Sequence, residues 1–117
     1  MTSDLRSPRV LEASDLASVI DDCPLDLAIR TIGGKWKLLI LRALFLSDGE
    51  RYNNLLRAIR DISPKELTRN LRELEDVGLV LPQGGEGYAL SPLGLQLEPT
   101  LTQLGIFGRA LSEFDGR

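Results

Sequence analysis

The sequence predicts a mainly α-helical fold carrying one small β-hairpin, with added helices before and after the central body. Three observations carry that expectation. The segment from Ser63 to Gly78 has both a helix start and a helix stop written into it. Two short apolar stretches, 79–81 and 88–90, flank the glycine-rich run Gly84 to Gly87, as paired strands flank a turn. Leu97, Leu104 and Leu111 recur every seven residues, with Phe107 and Phe114 three further on, which is the spacing of a long helix with one apolar seam.

Residues 1–21 read as a tail followed by a short helix. Ala13, Leu16, Ala17 and Ile20 fall at helical spacing, while Asp15, Asp21 and Asp22 stay outside. Such an arm is expected to dock on a partner subunit. Pro24 opens the next helix, with Asp22 and Cys23 around its cap. Leu25, Ala28, Ile29 and Ile32 share a face, and Gly33-Gly34 ends it. Another helix is expected from about Lys35 to Leu46, with Trp36, Leu39, Ile40 and Ala43 or Leu44 turned inward. Ser47 to Glu50 is a polar turn. Arg51-Tyr52 is either a short strand or the entry to a helix from Asn53 to Ile59, and Arg60-Asp61-Ile62 is a tight connection.

The next helix is the most fully specified. Ser63 and Glu66 have the spacing of a capping box, in which each side chain satisfies a backbone amide of the other. Pro64 takes the first helical position, where its missing N–H costs nothing. Gly78 follows as a left-handed stop. Leu67, Leu71 and Leu74 line one face; Lys65, Arg69, Arg72 and Asp76 lie opposite, with Thr68 beside them. Beyond Gly78, residues 79–81 read as a strand ended by Pro82, and 88–90 as the returning strand. Ser91-Pro92 repeats the cap-and-proline device, and a last helix is expected from about Pro92 to Phe114. This order of elements is that of a winged helix-turn-helix. It divides into an arm (1–21), a winged DNA-binding domain (22–91) and a C-terminal dimerisation helix (92–117).

Composition narrows the function. A chain of 117 residues supports one modest core. With no histidine and one cysteine, neither a Ser/His/Asp nor a Cys/His nucleophilic site is available, and a zinc site is poorly supplied. Phosphate-binding glycine motifs are missing as well. The expectation is a non-enzyme without cofactor or metal. The lone cysteine, the lack of a secretory start and the lack of a span of about 20 apolar residues suggest a cytoplasmic protein without membrane contact. The net charge is −3, yet Pro24 to Glu75 holds ten Lys/Arg against seven Asp/Glu. Phosphate attraction fades over about 8–10 Å at physiological salt, so the local sign outweighs the total.

Cys23-Pro24, Ile32-Gly33-Gly34-Lys35-Trp36-Lys37, Tyr52-Asn53-Asn54-Leu55 and the run from Leu67 to Glu75 closely resemble the HxlR-type winged-helix transcriptional regulators, over roughly Cys23 to Gly108. The resemblance implies a small bacterial regulator that dimerises through its terminal helices and binds palindromic operators. It places Ser63, Pro64, Lys65, Thr68, Arg69 and Arg72 at recognition-helix positions. Several members sense oxidants or electrophiles through a cysteine near the position of Cys23. The loop Gln83 to Tyr88 departs from the family pattern, being short, without a cation and bearing Glu86, which phosphate repels.

The expected function is therefore sequence-specific DNA binding as a homodimer on an inverted repeat, read as repression and with a redox response at Cys23 as an option. Lys65 and Arg69 are candidates for base edges or phosphate, Thr68 for a thymine methyl or phosphate, and Arg72 for phosphate. Ser63 and the amides behind it suit a phosphate. Lys35, Arg51 and Tyr52 are further phosphate candidates, and Trp36 is read as core. Leu97, Leu104, Phe107, Leu111 and Phe114 form the dimerisation seam. Two alternatives stay open: a winged-helix module that binds protein, and a ligand-responsive regulator with an apolar pocket at the dimer interface.

Overall fold

The computed structural model describes residues 10–21 and 23–115. The expected tail over 1–9 and the capping role of Asp22 fall outside the described residues. The chain divides into two units between residues 31 and 32.

In the first unit, α1 (Ala13–Asp21) leads to α2 (Pro24–Ile32) through Cys23. The Cys23 amide donates to the Ile20 carbonyl at 3.2 Å, closing α1, and its carbonyl accepts from the Asp26 amide at 2.9 Å, opening α2. Neither helix has a fully buried residue. Leu25 and Ile29, two of the residues expected to share a face, are more than half exposed, as are Val19 and Ile20. The apolar stripes are real, but among the described residues of this unit nothing covers them.

The second unit holds the core. Its elements are α3 (Lys37–Ser47), β1 (Glu50–Arg51), α4 (Tyr52–Ala58), α5 (Pro64–Asp76), β2 (Val80–Gln83), β3 (Gly87–Leu90), α6 (Pro92–Leu95) and α7 (Glu98–Asp115). Ile40, Leu41, Leu44, Leu55, Leu67, Leu71, Leu74 and Val80 are fully buried, and Trp36, Ile59, Ile62 and Leu79 complete the cluster. The buried face of α3 differs from expectation: Leu41 is inside and Leu39 is 43% exposed. Nearly every position of this helix is apolar, so the 3.6-residue period offers no contrast by which to choose a face.

The strands form a three-stranded antiparallel sheet in the order β1-β3-β2. Val80 pairs with Leu90 and Gln83 with Gly87, which leaves Gly84-Gly85-Glu86 as the hairpin tip. Gly85 there has φ +71°, a left-handed conformation that favours glycine. Pro82 does not end its strand as expected but pairs with Tyr88 inside it. Because β2 is an edge strand, the ladder does without the missing proline N–H.

The expected continuous helix from Pro92 to Phe114 is two helices. The Gln96 amide donates to the Leu93 carbonyl and the Leu97 amide to Gly94, a tighter step than an α-helical turn. Pro99 explains the break. Inside an unbroken helix its ring would clash with the carbonyl of Leu95, whereas in the first turn of α7 it is accommodated.

A knot of backbone contacts joins α6 to the base of the hairpin. Ser91 Oγ donates to the Gly78 carbonyl at 2.6 Å and accepts from the Gly94 amide at 2.9 Å. The Ser91 amide donates to the Leu79 carbonyl at 3.0 Å. A Cβ at Gly94 would stand 2.3 Å from that same Leu79 oxygen.

Candidate nucleic-acid interface

Helix α5 starts as its sequence dictates. The Glu66 amide donates to Ser63 Oγ at 3.1 Å, and the Ser63 amide donates back to the Glu66 carboxylate at 3.2 Å. Leu67, Leu71 and Leu74 are buried and hold the helix to the body. Its other side carries Lys65, Thr68, Arg69 and Arg72, all exposed. Among the described residues, Lys65, Arg69 and Arg72 make no ion pair. In front of α5, the connection from α4 turns through Asp61 at φ +70°, with the Ile62 amide donating to the Ile59 carbonyl. Asp tolerates this left-handed conformation better than most residues.

Two sets of contacts fix α5 from the sides. On one, Trp36 Nε1 donates to Glu66 Oε2 at 3.1 Å. Lys37 Nζ donates to Asn70 Oδ1 at 3.1 Å and pairs with Glu73 Oε1 at 2.6 Å. Asn70 is buried and gives its own amide to the Glu66 carbonyl at 2.7 Å. Lys35 stacks over the buried Trp36 ring, 4.5 Å from its centroid. Lys37 and Asn70 escape a reading by charge alone. The signal for Asn70 is its place in the series Leu67, Asn70, Leu71, Leu74, where a polar residue occupies a core position and must find partners.

On the other side, the Tyr52 amide donates to the Glu86 carbonyl at the wing tip, at 2.9 Å. The Tyr52 hydroxyl lies 3.0 Å from the Pro64 carbonyl and 2.9 Å from Thr68 Oγ1. Tyr52 thus joins wing, α4 and α5, and its hydroxyl is already engaged. Arg51 is exposed and its guanidinium lies beside Gly85. The wing loop itself has no cation, but β1 brings one alongside it.

Glu66 is held below its ordinary carboxyl value of 4.5, first by the Ser63 amide, then by the Ser63 hydroxyl, with Trp36 and Arg69 adding to it and partial desolvation opposing. A carboxylate with a lowered folded pKa stabilises the fold above its unfolded value and loses that contribution as pH falls through the folded one. Thermal unfolding between pH 6 and pH 3 should therefore show a fall in midpoint below about pH 4.5, and Glu66→Gln should make that fall shallower. An unchanged pH profile in the variant would show that the capping box carries none of the acid sensitivity.

The remaining candidates belong to other elements. Cys23 is half-buried between α1 and α2. Leu97 and Leu101 pack on the core of their own chain. Leu104, Phe107, Leu111 and Phe114 line one stripe of α7 and are 47–70% exposed. No helix among the described residues is long and apolar enough to cross a membrane.

Residues 31–114 match the family described as HxlR-like helix-turn-helix. An HTH-type transcriptional regulator of Methanothermobacter thermautotrophicus is 38% identical over 95 residues, covering 74% of this chain and 70% of the relative. The solved HTH-type transcriptional regulator YtcD superposes with a TM-score of 0.71 at 33% identity, over 77% of this chain and 97% of that one. The redox regulator HypR in its oxidised form gives a TM-score of 0.69 at 31% identity, over 75% of this chain and 96% of that one.

Proposed function

The chain belongs to the HxlR-like helix-turn-helix family of transcriptional regulators, and from that premise we propose that it binds an inverted-repeat DNA operator as a homodimer. The observation that carries the reading is the outer face of α5. Three unpaired cations stand there on a helix whose opposite face is buried. The N-terminus of such a helix fits the major groove, and the positive end of its dipole attracts phosphate. Arg69 reaches base edges, Arg72 and Lys65 the phosphates, and Arg51 beside the wing a neighbouring phosphate. Lys35, Lys37 and Tyr52 serve by fixing α5. The apolar stripe of α7 and the exposed faces of α1 and α2 meet a second copy.

Fluorescence anisotropy on the selected operator tests this. Arg69→Ala should cost about 1–3 kcal/mol on the operator and relax the choice of one base. Arg72→Ala should weaken all sequences alike and reduce the salt slope by about one unit. If neither change alters affinity, α5 is not the reading helix. An absence of binding to any random duplex even at low salt would point instead to a protein-binding winged helix, which the acidic total charge would suit.

A second reading concerns control. Likeness to a redox regulator favours an oxidant response through Cys23, the chain's one thiol. With no second cysteine in the chain, oxidation leads to a sulfenic acid, a mixed disulfide or a bond between subunits. Peroxide or diamide should release operator DNA from the protein but not from Cys23→Ser. Equal release from both would remove Cys23 from the response.

A further inference from the structure

We propose that Thr68 selects an A·T pair in each operator half-site, and that Tyr52 makes it do so by taking the only hydrogen of its hydroxyl. The inference rests on the operator reading above and goes on to the base that one side chain accepts. The Tyr52 hydroxyl has a single hydrogen and two partners. The Pro64 carbonyl, at 3.0 Å, can only accept. Thr68 Oγ1, at 2.9 Å, can donate or accept. Both contacts are hydrogen bonds only when Tyr52 donates to Pro64 and Thr68 donates to Tyr52.

Thr68 is exposed between Lys65, Arg69 and Arg72. In that proton arrangement it shows the groove a methyl group and an oxygen lone pair, and no donor. Guanine presents only acceptors, N7 and O6, on its major-groove edge, and the lone pair repels them. An A·T pair presents the adenine amino group and the thymine methyl, which match the lone pair and the methyl of Thr68. Cytosine also offers an amino group, but its pair lacks the methyl and carries the guanine O6. Tyr52 is rigidly held, since its amide is bonded to Glu86 and its ring packs against the core. It is a positioning residue that acts on sequence preference through Thr68.

Selection from randomised duplexes with the full chain, read by sequencing, tests the assignment. The unchanged protein should require A·T at one position of each half-site. Tyr52→Phe frees the Thr68 hydrogen for guanine and should lower that requirement about tenfold at this position alone. Thr68→Ser, which lacks the methyl, should lower it as well, whereas Thr68→Val keeps the methyl, offers no donor and should still select A·T. Full retention of A·T by Tyr52→Phe, or a uniform loss over all sequences, overturns the proposal while leaving the operator reading intact. So does selection of a different base by Thr68→Val, a surface change that leaves the core untouched. A chain that selects no sequence at all overturns the operator reading itself, and this assignment with it.

Discussion

In the homodimer proposed above, Phe107→Asp should leave monomers and lower operator affinity roughly 100-fold or more, the loss expected when two linked sites become separate ones. The expectation follows from how α7 is used. Leu97, just before the helix, and Leu101, in its first turn, anchor it to the core of its own chain. The rest of the helix is exposed, with Leu104, Phe107 and Leu111 on one stripe and each about half accessible. A stripe of that length is the kind of apolar surface a soluble protein covers by association. An aspartate at its centre would have to be desolvated in the pair, at a cost of several kcal/mol. Because Phe107 is 59% exposed in the single chain, the substitution should leave that fold intact, so a fall in the unfolding midpoint reports only the lost association. Sedimentation velocity and operator titration, run together, check both halves. A variant that stays dimeric, or an unaltered protein that is already monomeric, would remove α7 as the contact between copies.

Gly94→Ala should destabilise the fold by about 2–3 kcal/mol, near the upper end for an overpacked site. The new methyl carbon would lie 2.3 Å from the Leu79 carbonyl oxygen and 3.3 Å from its carbon. That oxygen belongs to the backbone and is already bonded to the Ser91 amide, so it cannot rotate away as a side chain would. The gain in helix propensity from glycine to alanine, about 1 kcal/mol at most, is too small to offset the clash. In a unit of this size the loss corresponds to a midpoint lower by roughly 10–20 °C. Calorimetry reads it directly. Gly105→Ala serves as the control, since a Cβ there meets nothing within 4 Å. Equal behaviour of the two variants would show that the hairpin base gives way freely.

What the chain disclosed of itself depended on distance along it. The bounds and leucine face of α5 were legible because its cap, its proline, its leucines and its glycine stop all lie within one stretch of sixteen residues, Ser63 to Gly78. The hairpin was legible from Gly84 to Gly87, although the pairing of Pro82 depends on β2 lying at the sheet edge, which no local pattern reports. The buried side of α3 was not, because an unbroken apolar run carries no phase. The contacts that orient the candidate site were the least visible. Lys37 meets Asn70 across 33 residues, and Tyr52 meets Thr68 across 16. Such pairs follow from packing, not from period. Leu97 shows the opposite error: a seven-residue repeat joined it to Leu104 across a proline that interrupts the helix.

That interruption has a geometric consequence. In the proposed two-fold assembly the break at Gln96–Leu97 occurs once in each copy, so its effect on the separation of the two reading heads counts twice. The operator spacing that such an assembly would accept then depends on Pro99, a residue outside the reading helix.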